Sequence, residues 1–254
     1  MFMLQMDASR RRDLLTIVGS LTGVTVLAWM YLFSVAGDMS EAGMLGGPVW
    51  DASYFVMMFL MWSIMMVGMM LPSVIPTVLV YAAVARKTRE QDRPAAPTVV
   101  FVLGYVLLWI LFSLAASGAQ WGLSELALLS PSMMSNSSWL TAALLVAAGV
   151  YQWLPIKNQC LSHCQSPVEF ISTHWTAGTT GALGMGIRHG VFCIGCCWAL
   201  MLLLFVAGVM NLFWIAVLAV FVLLEKVLPF GAAVSRWLGG VLIVGGVVVA
   251  VVGF

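Results

Sequence analysis

Seven apolar runs constrain this 254-residue chain more than any other feature of its sequence. They lie near residues 14–36, 54–80, 98–118, 138–154, 181–208, 211–228 and 237–254. A helix needs about 20 apolar residues to cross the hydrocarbon core of a bilayer. Since 62% of the residues are hydrophobic and only 8% are charged, an ordinary soluble domain is excluded. The sequence predicts an all-α polytopic transmembrane helix bundle of about seven spans, with residues 1–254 forming a single integral membrane domain.

The basic residues orient this bundle, because Lys and Arg accumulate in short cytoplasmic loops. With seven spans and a cytoplasmic N-terminus, one side holds Arg10, Arg11, Arg12, Arg86, Lys87, Arg89, Arg93, Lys157, Lys226 and Arg236. The opposite loops 37–53 and 119–137 contain no Lys or Arg. We therefore expect a multi-pass protein of a bacterial inner membrane, surrounded by lipid. The net charge of +1 gives no indication of nucleic acid binding.

Arg188 is the one basic residue that this orientation leaves unassigned, and it falls inside the fifth predicted span. A charge at that depth needs a partner. Glu225, near the predicted cytoplasmic end of the sixth span, is the candidate for a structural pair with Arg188.

All five cysteines and all three histidines lie between residues 160 and 197. Cys160, His163 and Cys164 fall in a predicted cytoplasmic loop, residues 155–180. Thiols stay reduced in the cytoplasm, so metal or redox chemistry is a better explanation for these cysteines than a structural disulfide.

The same loop carries the signal of a short interfacial helix. Ser166-Pro167-Val168-Glu169 matches a capping box with proline at the first helical position, and the helix is expected to stop near Gly178. His174 is isolated in the sequence, and we interpret it as an interfacial histidine that makes hydrogen bonds.

The fifth run contains a second group of potential ligands. His189, Cys193 and Cys196 recur at i, i+4 and i+7, so they share one face of a helix, and Cys197 lies next to that face. Polar groups inside a membrane persist mainly where they pair or bind something. Glycines at 186 and 190 have the small-residue spacing that lets a second helix approach closely.

The methionine content favours Cu(I) among the metals that Cys and His could bind. Seven of the fourteen residues from 57 to 70 are Met, and Met61, Met65 and Met69 are spaced as one helix face. Methionine often serves only to fill a core. Thioethers together with thiolates and imidazoles nevertheless form the ligand set that selects Cu(I). Zn(II) is the competitor, because Cys and His also make tetrahedral zinc sites.

Several motifs together resemble a known family. They are MWSIMMVGMMLPS (61–73), KNQCLSHCQSP (157–167), HGVFCIGCCWALM (189–201), GVMN (208–211) and LLEK (223–226). The combination, over roughly residues 50–230, is similar to a bacterial family of multi-spanning proteins of unknown function that are catalogued as predicted metal-binding integral membrane proteins. The resemblance implies ligands at Cys160, Cys164, His189, Cys193, Cys196 and Cys197, and it implies no substrate.

Three functions are open at this point. The first is a metal-handling protein that binds Cu(I), or less readily Zn(II), for transfer or metalloprotein assembly with a metal-donating or metal-accepting protein. In this first function, an uptake or release site is formed by Cys160, His163 and Cys164. Another site, embedded in the membrane, is formed by His189, Cys193 and Cys196. The second is a membrane thiol-disulfide oxidoreductase, because Cys193 and Cys196 have Cys-x-x-Cys spacing. The third is a non-catalytic membrane subunit with a structural metal. Whether the chain is an enzyme stays open, because only the second of these functions is catalytic, and the first function is favoured.

Overall fold

The structure is a computed structural model that describes residues 8–43, 50–87, 95–130 and 133–253. In these ranges the chain forms ten helices and no β-strand. The helices are α1 (Ala8–Gly43), α2 (Ala52–Lys87), α3 (Ala95–Glu125), α4 (Ser138–Tyr151), α5 (Pro155–Gln165), α6 (Pro167–His174), α7 (Gly178–Met201), α8 (Leu203–Ala207), α9 (Leu212–Val227) and α10 (Gly231–Val252). The all-α prediction is confirmed.

Among the described residues, five helices are long and apolar enough to cross a membrane by length and composition: α1, α2, α3, α7 with α8, and α10. The pair α4 and α5 becomes a sixth if the two count as one span, although a bend of 63° separates them. The predicted run 211–228 corresponds to α9, which has only 16 residues. Seven spans therefore stay a prediction.

The methionine-rich helix α2 lies at the centre of the packing. It contacts α1, α3, α6 and α9, while α3 and α5 pack against α7, and α4 packs against α10. The buried side of α2 carries Met58, Met61, Met65, Met66, Met69 and Met70, each at most 2% exposed. Large apolar side chains also remain on the exterior, such as Trp139 at 76% and Trp237 at 80% exposed. An apolar core inside an apolar exterior is what a bundle in lipid requires.

Helices α3 and α7 approach closely where the glycine spacing predicts it. A Cβ atom built on Gly186 would lie 2.0 Å from the carbonyl oxygen of Phe101 in α3. One built on Gly104, in α3, would lie 2.6 Å from the carbonyl oxygen of Leu183. Only glycine permits this contact, so the predicted close approach of a second helix at residue 186 is confirmed.

Residues 155–180 are more helical than the predicted loop with a single short helix. Helix α5 fills the first part, and it begins with Pro155 at the position where proline replaces an unneeded amide donor. Helix α6 begins as predicted, with Ser166 at the N-cap and Pro167 following it, but the Ser166 side chain makes no capping hydrogen bond. The helix ends at His174, before Gly178.

The predicted partner of Glu225 needs correction. Glu225 is 1% exposed and forms an ion pair with Lys157, whose ammonium is 2.5 Å from the carboxylate. The hydroxyl of Ser235 also donates a hydrogen bond to this carboxylate. Arg188 instead lies on the exposed side of α7 and lines a pocket with His174. Arg188 is therefore not the partner of Glu225.

Candidate metal centre

Four buried thiols meet where α5 packs against α7. Cys164 comes from α5, and Cys193, Cys196 and Cys197 come from α7; all four are free cysteines. Each is at most 7% exposed. The thiol of Cys164 interacts with those of Cys193 and Cys196, and Cys197 interacts with the same two. We call these four residues the thiol cluster.

The sequence spacing explains the α7 half of the cluster. Residues three and four apart lie on one face of a helix, and this face of α7 is turned toward α5. The glycine at 195 removes side-chain bulk beside it, because a Cβ there would lie 2.7 Å from the sulfur of Cys160. Cys160 is half-buried and interacts with Cys196, so it flanks the thiol cluster on its more accessible side.

The thiols are close together but do not yet surround a common point. Cys196 and Cys197 donate hydrogen bonds to the backbone carbonyl of Cys193, at 3.1 and 3.0 Å. Within the described ranges, no three side chains among His, Cys, Asp and Glu form a ready-made metal-binding group. A metal ion would require these cysteines to change rotamer, and each would give up one hydrogen bond to a carbonyl.

Besides the other thiols, the sulfur of Cys193 has polar partners from two further helices, α9 and α3. The ammonium of Lys226 in α9 donates to its sulfur at 2.9 Å and to the hydroxyl of Ser73 in α2 at 3.1 Å. The hydroxyl of Tyr105 in α3 lies 3.0 Å from the same sulfur and donates to the carbonyl oxygen of Met70 at 3.2 Å. A buried ammonium needs a negative or polar partner. At Lys226 these partners are a thiol sulfur and a hydroxyl.

His189 lies one helical turn before Cys193, as the spacing predicts. It is 2% exposed and is surrounded by the rings of Phe101, Tyr105 and Phe170, with ring centroids 5.0 to 6.2 Å away. Its Nδ1 has no hydrogen-bond partner among the described residues. An unpartnered buried nitrogen beside the thiol cluster is available as a ligand.

The structure divides the predicted group of Cys160, His163 and Cys164. Cys164 joins the α7 cysteines, so the two cysteine groups of the sequence meet at one place. His163 stacks on Phe192, with ring centroids 4.1 Å apart, and its ring centroid is 6.3 Å from that of His174. His163 therefore lies with a second histidine beside the cluster.

The predicted methionine ligands Met61, Met65 and Met69 all face the bundle interior. Two further thioethers, those of Met58 and Met133, accept hydrogen bonds from the buried amide of Gln120, at 3.7 and 3.3 Å. The interior thus contains buried thioether sulfurs in addition to the thiols.

Sequence reasoning missed the polar partners of Cys193. In the sequence, Lys226 contributes only to the charge pattern that orients the bundle. Tyr105 lies in ordinary apolar helical sequence, and so does Ser73, the hydrogen-bond acceptor of Lys226. The one available signal was that Glu225 and Lys226 are adjacent near the end of an apolar run. Charged residues inside an apolar run persist mainly where they pair or bind something.

The fold and the cluster together define an all-helical protein with several long apolar helices and a buried set of soft sulfur donors. Residues 59–249 match the family model PpoB2, described as a copper chaperone, and the chain belongs to this family. The match covers the methionine-rich helix and both cysteine groups. A copper-related role follows, in agreement with the predicted association with metal. No curated protein and no solved structure matches the chain.

Proposed function

We propose that this protein is an integral inner-membrane copper chaperone that holds Cu(I) on the thiol cluster and passes it to a partner protein. The observation that carries the proposal is the meeting of Cys164 with Cys193, Cys196 and Cys197 inside a chain of the copper chaperone family. Copper here is cargo. Thiolates favour Cu(I) among the common metal ions, and thioethers reinforce that preference.

Transfer by ligand exchange fits the different exposure of the cysteines. Cys160 is half-buried while Cys193 is 1% exposed, so an incoming ion would meet Cys160 first and the α7 thiols afterwards. Cys196 interacts with Cys160 and with the other thiols, which makes it the natural intermediate. The copper keeps its oxidation state and changes only its ligands. His189 supplies an imidazole one helical turn before Cys193, beside Phe170.

Lys226 supports such a site through its charge. Two thiolates and one Cu(I) carry a net negative charge, which is costly in an apolar interior. An ammonium 2.9 Å from the sulfur of Cys193 offsets part of it. The Lys226 contact therefore favours a charged copper complex at this position over an uncharged thiol.

The buried methionines extend the soft donors beyond the thiol cluster. Met61, Met65 and Met69 lie along α2, and Met58 and Met133 meet near Gln120. In the seven-span topology these last residues lie toward the outer face, and the thiol cluster lies toward the cytoplasm. Thioethers bind Cu(I) weakly and exchange it readily, so this row would let the ion move between the two sides.

The test is Cu(I) binding by the reduced, detergent-purified protein under anaerobic conditions, in competition with a Cu(I) chelator. We expect about one chelator-resistant copper per chain, with sulfur ligands in X-ray absorption. Cys164→Ser with Cys193→Ser should abolish it, because the change removes a thiol from each contributing helix. Met57→Leu is the matched control, since it removes a sulfur from the exposed side of α2, where Met57 is 40% exposed.

Other results would point to the other two functions. Tightly held zinc that is displaced neither by copper nor by a partner would indicate a structural metal. Absence of any metal, combined with a Cys193–Cys196 disulfide that forms and is reduced reversibly, would favour the oxidoreductase. Either result would refute the proposal.

A further inference from the structure

His163 and His174 lie side by side on the two short helices that precede α7. Both are half-buried, and their ring centroids are 6.3 Å apart. Helices α5 and α6 are joined at Ser166 alone, and His174 is the last residue of α6. Eleven positions separate the two histidines, and no pattern in the sequence connects them.

Each imidazole is held by its own helix in the same way. The Nδ1 of His163 lies 2.8 Å from the carbonyl oxygen of Gln159, and that of His174 lies 3.0 Å from the carbonyl oxygen of Phe170. In the tautomer that donates these hydrogen bonds, Nε2 keeps a free lone pair on both rings. Metal-binding histidines typically show this arrangement, in which the second nitrogen donates to a carbonyl and fixes the ring.

The ring separation suits a shared ion. Metal–nitrogen bonds of about 2 Å place the centres of two imidazoles about 6 Å apart when the nitrogens bind from nearly opposite sides. The 6.3 Å separation of His163 and His174 agrees with that spacing. Two nearly opposed nitrogens are a sufficient ligand set for Cu(I), which accepts two-coordinate geometry.

The rings face a small cavity of about 90 Å³ that contains further oxygen donors. Its lining includes Ser162, Glu169 and Thr173 together with both histidines. The carboxylate of Glu169 brings a negative charge to this cavity and favours a cation there. Phe192 stacks on His163 and directly precedes Cys193, so the cavity lies beside the thiol cluster.

We propose that His163 and His174 form a second copper site, with two imidazoles as ligands and Glu169 as an auxiliary oxygen donor, where an ion binds before it reaches the thiol cluster. This inference rests on the proposed function for its cargo. The half-buried rings are accessible to a donor, while the thiols are not. Nitrogen ligands also hold Cu(I) less tightly than thiolates do, so the ion is driven inward.

The test uses the full chain, reduced and titrated anaerobically with Cu(I). Beyond the chelator-resistant copper, we expect a second, weaker equivalent with nitrogen ligands in X-ray absorption. His163→Gln with His174→Gln should abolish this second equivalent, because the change removes both imidazole ligands, and should leave the first equivalent unchanged. Ser172→Ala is the control, because Ser172 lies on the exposed side of α6 outside the cavity.

A second measurement avoids dependence on how the variants fold. Diethyl pyrocarbonate modifies accessible imidazoles, and mass spectrometry locates the modified residues. Copper should protect both histidines of the unaltered protein in the titration range of the weaker equivalent. The inference would be overturned if the double histidine variant binds two copper equivalents like the unaltered protein. It would also be overturned if copper does not protect the two histidines from modification. If no chelator-resistant copper is found but copper still protects both histidines, the proposed function is refuted and the inference about the histidines stands.

Discussion

Cys193 is the residue on which the polar contacts of the interior converge. Its sulfur has the ammonium of Lys226 at 2.9 Å and the hydroxyl of Tyr105 at 3.0 Å. The neighbouring carboxylate, Glu225, is occupied by Lys157 and Ser235. The ammonium of Lys226 is therefore directed at the sulfur of Cys193. This arrangement favours the thiolate form of Cys193 as a metal ligand.

Replacing Lys226 by Met should weaken copper binding while preserving side-chain volume. A hydrogen bond to a charged group contributes about 1.5–3 kcal/mol, so we expect the Cu(I) affinity of the thiol cluster to fall roughly tenfold to a hundredfold. The measurement is the chelator competition described above. Lys87→Met is the control, because Lys87 is exposed at the end of α2. Equal affinity in the Lys226 variant would show that the ammonium has no part in binding.

At the scale of elements, the contact of α3 with α7 fixes the position of the cysteine face. Gly186 lies against the backbone of Phe101, and Gly190 lies against the side chain of Leu108. Backbone cannot move aside as a flexible side chain can. The distance between the two helices therefore depends on the absence of a side chain at residue 186, and the placement of Tyr105 next to Cys193 depends on that distance.

Gly186→Ala should accordingly destabilise the protein, by about 1–3 kcal/mol or more, which is typical of overpacking. Gly184→Ala is the matched control on the same helix, because a Cβ there meets nothing within 4 Å. It should raise stability by roughly 0.5–1 kcal/mol, since alanine is the better helix former. Thermal unfolding in detergent, followed by tryptophan fluorescence, measures both changes. Equal effects of the two substitutions would contradict the role of the close contact.

The elements and the site were predictable to different extents, for a physical reason. Local signals such as the proline after Ser166 and the spacing of His189 with Cys193 predicted the start of α6 and the buried face of α7. The bend between α4 and α5, which turns Cys164 toward α7, depends on packing between distant segments. The same holds for the pairing of Glu225 with Lys157 and of His163 with His174. No pattern within one segment specifies a partner in another.

At the scale of the whole molecule, the number of crossings depends on α9 once α4 and α5 count as one span. Its start follows Val209, whose amide donates to the carbonyl oxygen of Met133 in the connection between α3 and α4. Its end is held by the side chain of Gln165, which donates to the carbonyl oxygens of Glu225 and Leu228 at the corner between α5 and α6. In the predicted topology these two places lie on opposite sides of the membrane.

Sixteen residues of α9 extend about 24 Å, less than the roughly 30 Å of a typical hydrocarbon core. A short helix can still cross where the bilayer thins or where neighbouring helices cover its ends. The contacts at Val209 and Gln165 provide such cover. We therefore expect α9 to cross, which gives seven spans with a cytoplasmic N-terminus and an external C-terminus.

Reporter fusions test this expectation, since alkaline phosphatase is active only outside the cytoplasm and green fluorescent protein fluoresces best within it. Fusions after residue 229 should be fluorescent and phosphatase-inactive, and fusions after residue 254 should show the reverse. If α9 does not cross and the other six spans do, both assignments invert. The fusion after residue 90 is the control, because α9 has no influence on the side reached after α2. Inverted reporters at 229 and 254 would place the C-terminus in the cytoplasm.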